Sequence, residues 1–126
     1  MVSEGLLRVF VYGSLRKGGH NHHVLSEASL IGRGTIEGSL SVSGDLSTVQ
    51  EGIGKVHGEV YLLPNQHHLH SLDSLERHPD WYARRVVQVT LENGTTVDAW
   101  CYCRAERDPE ARRLDHGDYL KFREEG

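Results

Sequence analysis

Apolar and β-branched residues run almost unbroken from Leu6 to Tyr12 and stop at Gly13. A run with two apolar faces predicts a buried central strand, Val9 and Val11 pointing one way and Phe10 and Tyr12 the other. Asn21–Ala28 is expected to form a short helix with Asn21 as its N-cap. Ser29–Val42 reads as a strand bent at Gly32, Gly34 and Gly38. Ser43-Gly44-Asp45 signals a turn, Leu46–Gln50 a short strand, and Gly52 and Gly54 the next connection. In Val56–Leu63, Val56, Val60 and Leu62 alternate against His57 and Tyr61, the pattern of a strand. Pro64 ends that strand and opens a helix over Asn65–Glu76, with Leu69, Leu72, Leu75 and His68 on one face. His78-Pro79 breaks the helix. Tyr82–Leu91 and Thr95–Cys103 are two further strands, joined by the two-residue hairpin signal Asn93-Gly94. The charged tail allows a short helix at Pro109–Leu114. Strands in runs with one or two inserted helices predict an α+β domain, a small mixed or antiparallel sheet curled into a barrel. A doubly wound sheet would need strict alternation of strand and helix.

Composition narrows the class. A length of 126 residues predicts a single domain, residues 1–126, with one core. A net charge of −4, with no basic stripe interleaved with aromatics, argues against a nucleic-acid partner. No apolar run reaches the roughly 18 residues of a membrane span, so no membrane partner is expected. The first residues carry no basic segment followed by an apolar stretch, so no secretion signal is expected and the cytoplasm is the expected location. Cys101 and Cys103 share one face of a strand, where a bridge would be strained, and are read as reduced packing residues. The oligomeric state is not read from the sequence.

Three stretches carry candidate chemistry. Tyr12-Gly13-Ser14-Leu15, followed by Arg16, Lys17 and the Gly18-Gly19 pair, is a strand ending in a loop able to offer N–H groups to an anion. Taken alone, a tight strand-to-helix connection is the favoured account of it. Glu76 lies beside the apolar stripe of its helix, near the negative end of the helix dipole. Both effects raise a carboxyl pKa and suit a proton shuttle, whereas pairing with Arg77 or Arg84 would make it a solvated surface group. The nine histidines include His20, His22 and His23 beside the first loop and His67, His68 and His70 at the helix. They show no familiar ligand spacing, so they are read as surface histidines and no metal site is expected. Ser14 as a nucleophile would need a base such as His20 or His22, and the G-x-S-x-G elbow is missing. Trp100 and Tyr102 share a strand face and either line a pocket or fill the barrel.

Taken together, Val9-Phe-Val-Tyr-Gly-Ser-Leu-Arg-Lys-Gly18, Asn21-His22, Val56-His-Gly-Glu-Val-Tyr61, Leu72-Asp-Ser-Leu-Glu76, Tyr82-x-Arg84, Ala99-Trp-x-Tyr102 and Gly117-Asp-Tyr119 resemble the gamma-glutamylcyclotransferase-like family. The match is to its short branch, which includes gamma-glutamylamine cyclotransferase, over roughly residues 8 to 122. The resemblance implies a compact β-barrel flanked by helices, with a small gamma-glutamyl substrate held in a cavity. It implies that Tyr12, Gly13, Ser14 and Leu15 grip the glutamyl group through backbone N–H groups, and that Glu76 is the catalytic acid/base. The substrate's α-amino group would attack its own γ-carbonyl, releasing 5-oxoproline and a free amine with no cofactor. Tyr82, Tyr102 and Tyr119 correspond to positions near the family's pocket, and Arg16 and Lys17 are read as rim residues. Some members of the branch instead remove a gamma-glutamyl protecting group during biosynthesis, and a non-catalytic binder on the same fold is a further alternative. Many relatives carry an aromatic-proline pair where this chain reads Val42-Ser-Gly-Asp-Leu-Ser-Thr-Val49, so that wall of the pocket is expected to differ.

Overall fold

The computed structural model describes residues 5–44, 46–106 and 109–125. Its strands are β1 (Arg8–Val11), β2 (Ser29–Ser43), β3 (Leu46–Leu62), β4 (Tyr82–Leu91), β5 (Thr96–Arg104) and β6 (Arg112–Leu114), with helices α1 (Gln66–Leu75) and α2 (Tyr119–Glu125). The sheet runs β3-β1-β5-β4-β2-β6, and β2 also pairs with β3, so five strands close into a barrel with β6 on the outer edge of β2. All pairings are antiparallel except β1 with β5, which meet in parallel register at Val9 and Trp100. The expected α+β barrel with few short helices is the fold observed.

The long β2–β3 hairpin supplies the curvature. Register shifts between Leu30 and Gly32 and between Glu37 and Ser39 bend β2, so one strand serves β3, β4 and β6 in turn. Glycine was expected to interrupt the strand after Gln50, yet β3 runs unbroken through Gly52 and Gly54. Gly54 at φ +135 and Gly38 at φ +150 lie at the register shift between Glu37 and Ser39, in conformations open to glycine. Phe10, Leu40, Val56, Val60, Val89 and Cys101 fill the barrel. Val9, Val11, Leu63, Leu69 and Leu72 form a second apolar layer, with α1 packed on the outside of the barrel. Each such burial stabilises by roughly 1.5–3 kcal/mol.

Several elements depart from expectation. Asn21–Ala28 forms only a short 3-10 turn, His22–Leu25, and Asn21 does not cap it with its side chain. Asn65, not Pro64, begins α1, its side chain accepting from the His68 N–H at 3.1 Å. Leu62 and Leu75 are 44% exposed, each at an element end where no partner covers it. At Asn93-Gly94 only Gly94 has a positive φ, +88, so the turn is neither type I′, which needs two such residues, nor type II′, which needs one at the first position. Instead the Gly94 N–H donates to Leu91 O and the Leu91 N–H to Thr95 O, a turn closed by a left-handed glycine. The helix expected at Pro109–Leu114 is replaced over Arg112–Leu114 by β6, because the edge of β2 at Leu40–Val42 offers it a ladder. Asp45 of the predicted turn lies outside the described residues.

Candidate active site

The loop after β1 closes on itself through its carbonyls. Gly13 O accepts from the Arg16 N–H at 3.0 Å, Ser14 O from the Asn21 N–H at 3.0 Å, and Arg16 O from the Gly19 N–H at 2.7 Å. His22 Nδ1 contacts Leu15 O at 3.0 Å. A trans peptide points its N–H opposite its C=O. The N–H groups of Gly13, Ser14 and Leu15 donate to no acceptor among the described residues. The loop packs too closely for side chains at its glycines: a Cβ on Gly19 would strike the Ser14 carbonyl, and one on Gly13 would come within 2.6 Å of Ser47 Oγ. The Ser14 hydroxyl accepts from Asn21 Nδ2 at 2.9 Å.

Gly13, Ser14 and Leu15 line a cavity of about 200 Å³, shared with Phe10, Val11, Tyr12, His20, Asn21, Leu46, Ser47, Glu76, Trp81, Tyr82 and Tyr102. Glu76 reaches it from the end of α1. Its N–H donates to Leu72 O at 2.9 Å, and its carbonyl accepts from the Tyr82 N–H at 3.1 Å, which pins its backbone on both sides. Arg77 then takes a left-handed φ of +51 and reverses the chain. Burial alone lifts the Glu76 carboxyl from 4.5 to about 7. The alternative of a solvated Glu76 paired with arginine is not what the structure contains: Arg84 instead binds Asp73, Nε to Oδ1 at 2.8 Å, and Arg77 stacks on Trp81 at 4.4 Å.

The tyrosines present rings to the cavity, while their hydroxyls bond to the protein. Tyr12 donates to Tyr102 O at 2.5 Å, Tyr82 to Ser47 O at 2.7 Å, and Tyr102 to Asp73 Oδ1 at 2.6 Å. Burial raises all three hydroxyls, Tyr82 to about 12, so they stay neutral. Tyr119 does not line this cavity; its ring is 1% exposed inside the barrel, tilted against Phe122. Trp100 also lies elsewhere, its Nε1 donating to Leu6 O at 3.0 Å and its face covered by Arg84 at 4.2 Å.

The sequence reading missed Leu46, Ser47 and Trp81 as lining residues; only the altered 42–49 segment hinted at the first two. It also placed Arg16 on the rim, whereas Arg16 is 8% exposed, its Nε on Glu59 Oε2 at 2.6 Å. The thiols do have a cationic neighbour: Cys103, bonded to Cys101 and approached by Arg85 from β4, is lowered to about 7, and both cysteines are free and buried.

The sequence profile of the gamma-glutamyl cyclotransferase, AIG2-like family matches residues 9–121. This chain belongs to that family. The gamma-glutamylcyclotransferase family protein YtfP of Escherichia coli is 34% identical over 115 residues, covering 90% of this chain and 96% of the relative. A Methanocaldococcus jannaschii protein provisionally named a gamma-glutamylcyclotransferase is 35% identical over 119 residues, covering 91% and 97%. Among solved structures, an AIG2-like protein of Mus musculus superposes with a TM-score of 0.78 at 30% identity, covering 91% of this chain and 88% of that one. Family and relatives together support a gamma-glutamylcyclotransferase-like activity in general. No helix among the described residues is long and apolar enough to cross a membrane.

Proposed function

We propose that the chain is a gamma-glutamyl cyclotransferase that cleaves a gamma-glutamyl amine or amide, with Glu76 as general acid/base. The observation that carries this reading is a carboxyl raised to about 7 in the same cavity as three N–H groups without an acceptor among the described residues. Near neutral pH the Glu76 carboxylate takes a proton from the substrate's α-ammonium. The freed amine nitrogen attacks the γ-carbonyl carbon, forming the ring C–N bond and placing negative charge on the carbonyl oxygen. N–H groups of Gly13, Ser14 and Leu15 hold either that oxyanion or the α-carboxylate. Protonated Glu76 then gives its proton to the leaving nitrogen, the oxyanion collapses and the original C–N bond breaks; the ring nitrogen gives up its second proton, which leaves with the amine, so that 5-oxoproline and a protonated amine depart. The rings of Tyr12, Tyr82 and Tyr102 restrict the glutamyl chain to a curled form, which supplies much of the advantage of an intramolecular attack.

The test is a panel of gamma-glutamyl amines, dipeptides and glutathione, followed for 5-oxoproline. Glu76→Gln is expected to cut kcat by about 10²–10⁴-fold with product binding retained. Full turnover by that variant would sink the assignment.

A further inference from the structure

Glu59 is a buried carboxylate near the end of β3, 5% exposed between Gly58 and Val60. Neither it nor Arg16 lines the cavity described above. Glu59 nevertheless holds the cavity's loop at two points. Its Oε2 accepts from Arg16 Nε at 2.6 Å, and its Oε1 accepts from the backbone N–H of Lys17 at 2.8 Å and the Tyr61 hydroxyl at 3.1 Å. Arg16 reaches further, Nη1 to Asp118 Oδ1 at 3.0 Å, just before α2. Arg16 is also the residue whose N–H closes on Gly13 O and whose carbonyl receives the Gly19 N–H. The pair therefore clamps both side chain and backbone of the segment that follows Gly13, Ser14 and Leu15.

We propose that the buried Arg16–Glu59 pair is a positioning device that fixes the direction of the Gly13, Ser14 and Leu15 N–H groups. A buried ion pair is a poor stabiliser, because desolvating two charges offsets their attraction, and neutral replacements of similar volume are often equally stable. A charged pair that braces a loop next to a cavity has a role that stability alone does not explain. The catalytic consequence rests on the cyclotransferase reading; the geometric one does not.

The experiment compares wild type, Glu59→Gln and the double variant Arg16→Met/Glu59→Gln by three readouts. These are the melting temperature, the kcat and KM for 5-oxoproline release, and hydrogen exchange at the Ser14 and Leu15 amides. Glu59→Gln alone removes the charge opposite Arg16 Nε, leaving the guanidinium its part-exposed Asp118 partner, and is expected to melt lower, while the double variant returns close to the wild-type melting temperature. Its kcat/KM is nonetheless expected to stay about 10–100-fold down, since small misplacements at a site cost that much. A fall confined to kcat assigns the N–H groups to the oxyanion, and a rise in KM to the α-carboxylate; both support positioning. Faster exchange at Ser14 and Leu15 is expected in both variants. A double variant with wild-type kcat/KM and unchanged amide exchange would overturn the proposal. Should the double variant not fold, Glu59→Gln decides by the same amide readout. If wild type released no 5-oxoproline from any substrate, the functional reading would fall, and amide exchange would still decide for or against the clamp.

Discussion

The carboxyl of Glu76 titrates near 7 instead of 4.5 because burial removes the water that would solvate its anion. Between these values the native state binds more protons than the unfolded chain, so stability falls as pH rises from about 4.5 to 7 and levels off above. Glu76→Gln removes that cost. Its stability advantage over wild type is expected to be absent near pH 4 and to grow to about 1–3 kcal/mol at pH 8, discounted for partial exposure. Thermal melts of both proteins from pH 4 to 8 measure it; an advantage that shrinks with pH would refute the burial argument. On the cyclotransferase reading, the same ionisation is expected to give kcat/KM a rising limb near pH 7 in wild type. Glu76 was legible in sequence because its cause is local, a helix end beside leucines. Glu59 was not: only its place among Val56, Gly58 and Val60 hinted at burial, and its partner lies 43 residues away. The acceptors of the Tyr12 and Tyr82 hydroxyls were not legible either, since they come from distant strands.

At the scale of the element, α1 matters for where it ends. Asp73 precedes Glu76 by three residues. It accepts from Arg84 Nε of β4 at 2.8 Å and from the Tyr102 hydroxyl of β5 at 2.6 Å. Burial pushes Asp73 upward, but the bonds from Arg84 and Tyr102 outweigh it and hold the carboxyl below its usual range. The charge therefore contributes stability above the ordinary carboxylate pKa, and that stability is lost as pH falls through the depressed native value. Asp73→Asn is expected to cost about 1–3 kcal/mol at pH 7 in urea unfolding, and progressively less in strong acid. It should also slow turnover, because the helix end that carries Glu76 loses its tie to two strands. Unchanged stability at pH 7 would refute the latch. Elements whose pattern is self-sufficient were readable, as β4 shows: its bounds, Tyr82–Leu91, are those that the alternation predicts. Elements made by a partner were not. β6 exists because bent β2 leaves an edge at Leu40–Val42, and no local pattern in Arg112–Leu114 says so.

Across the whole molecule, the C-terminal segment joins three parts of the barrel. β6 extends β2, Tyr119 enters the interior cluster, and Asp118 meets Arg16 beneath the cavity loop. Gly117 is the point where the segment docks, its carbonyl accepting from the His57 N–H at 2.9 Å. Its φ is +64, and a Cβ there would collide with the Lys55 carbonyl oxygen, so backbone conformation and close approach both demand glycine. Gly117→Ala must pull the segment off β3, which draws Tyr119 from the core and Asp118 from Arg16. A loss of about 2–4 kcal/mol is expected, at the upper end of backbone substitutions because packing is lost with the strain. Gly44→Ala is the control: Gly44 also has a positive φ, +59, but a Cβ there meets nothing within 4 Å, so it carries the conformational cost alone. If the two variants unfold at the same urea concentration, docking at Gly117 adds nothing. If Gly117→Ala is the weaker protein and also loses 5-oxoproline release at temperatures where it remains folded, the segment supports the loop through Arg16 as well as closing the barrel.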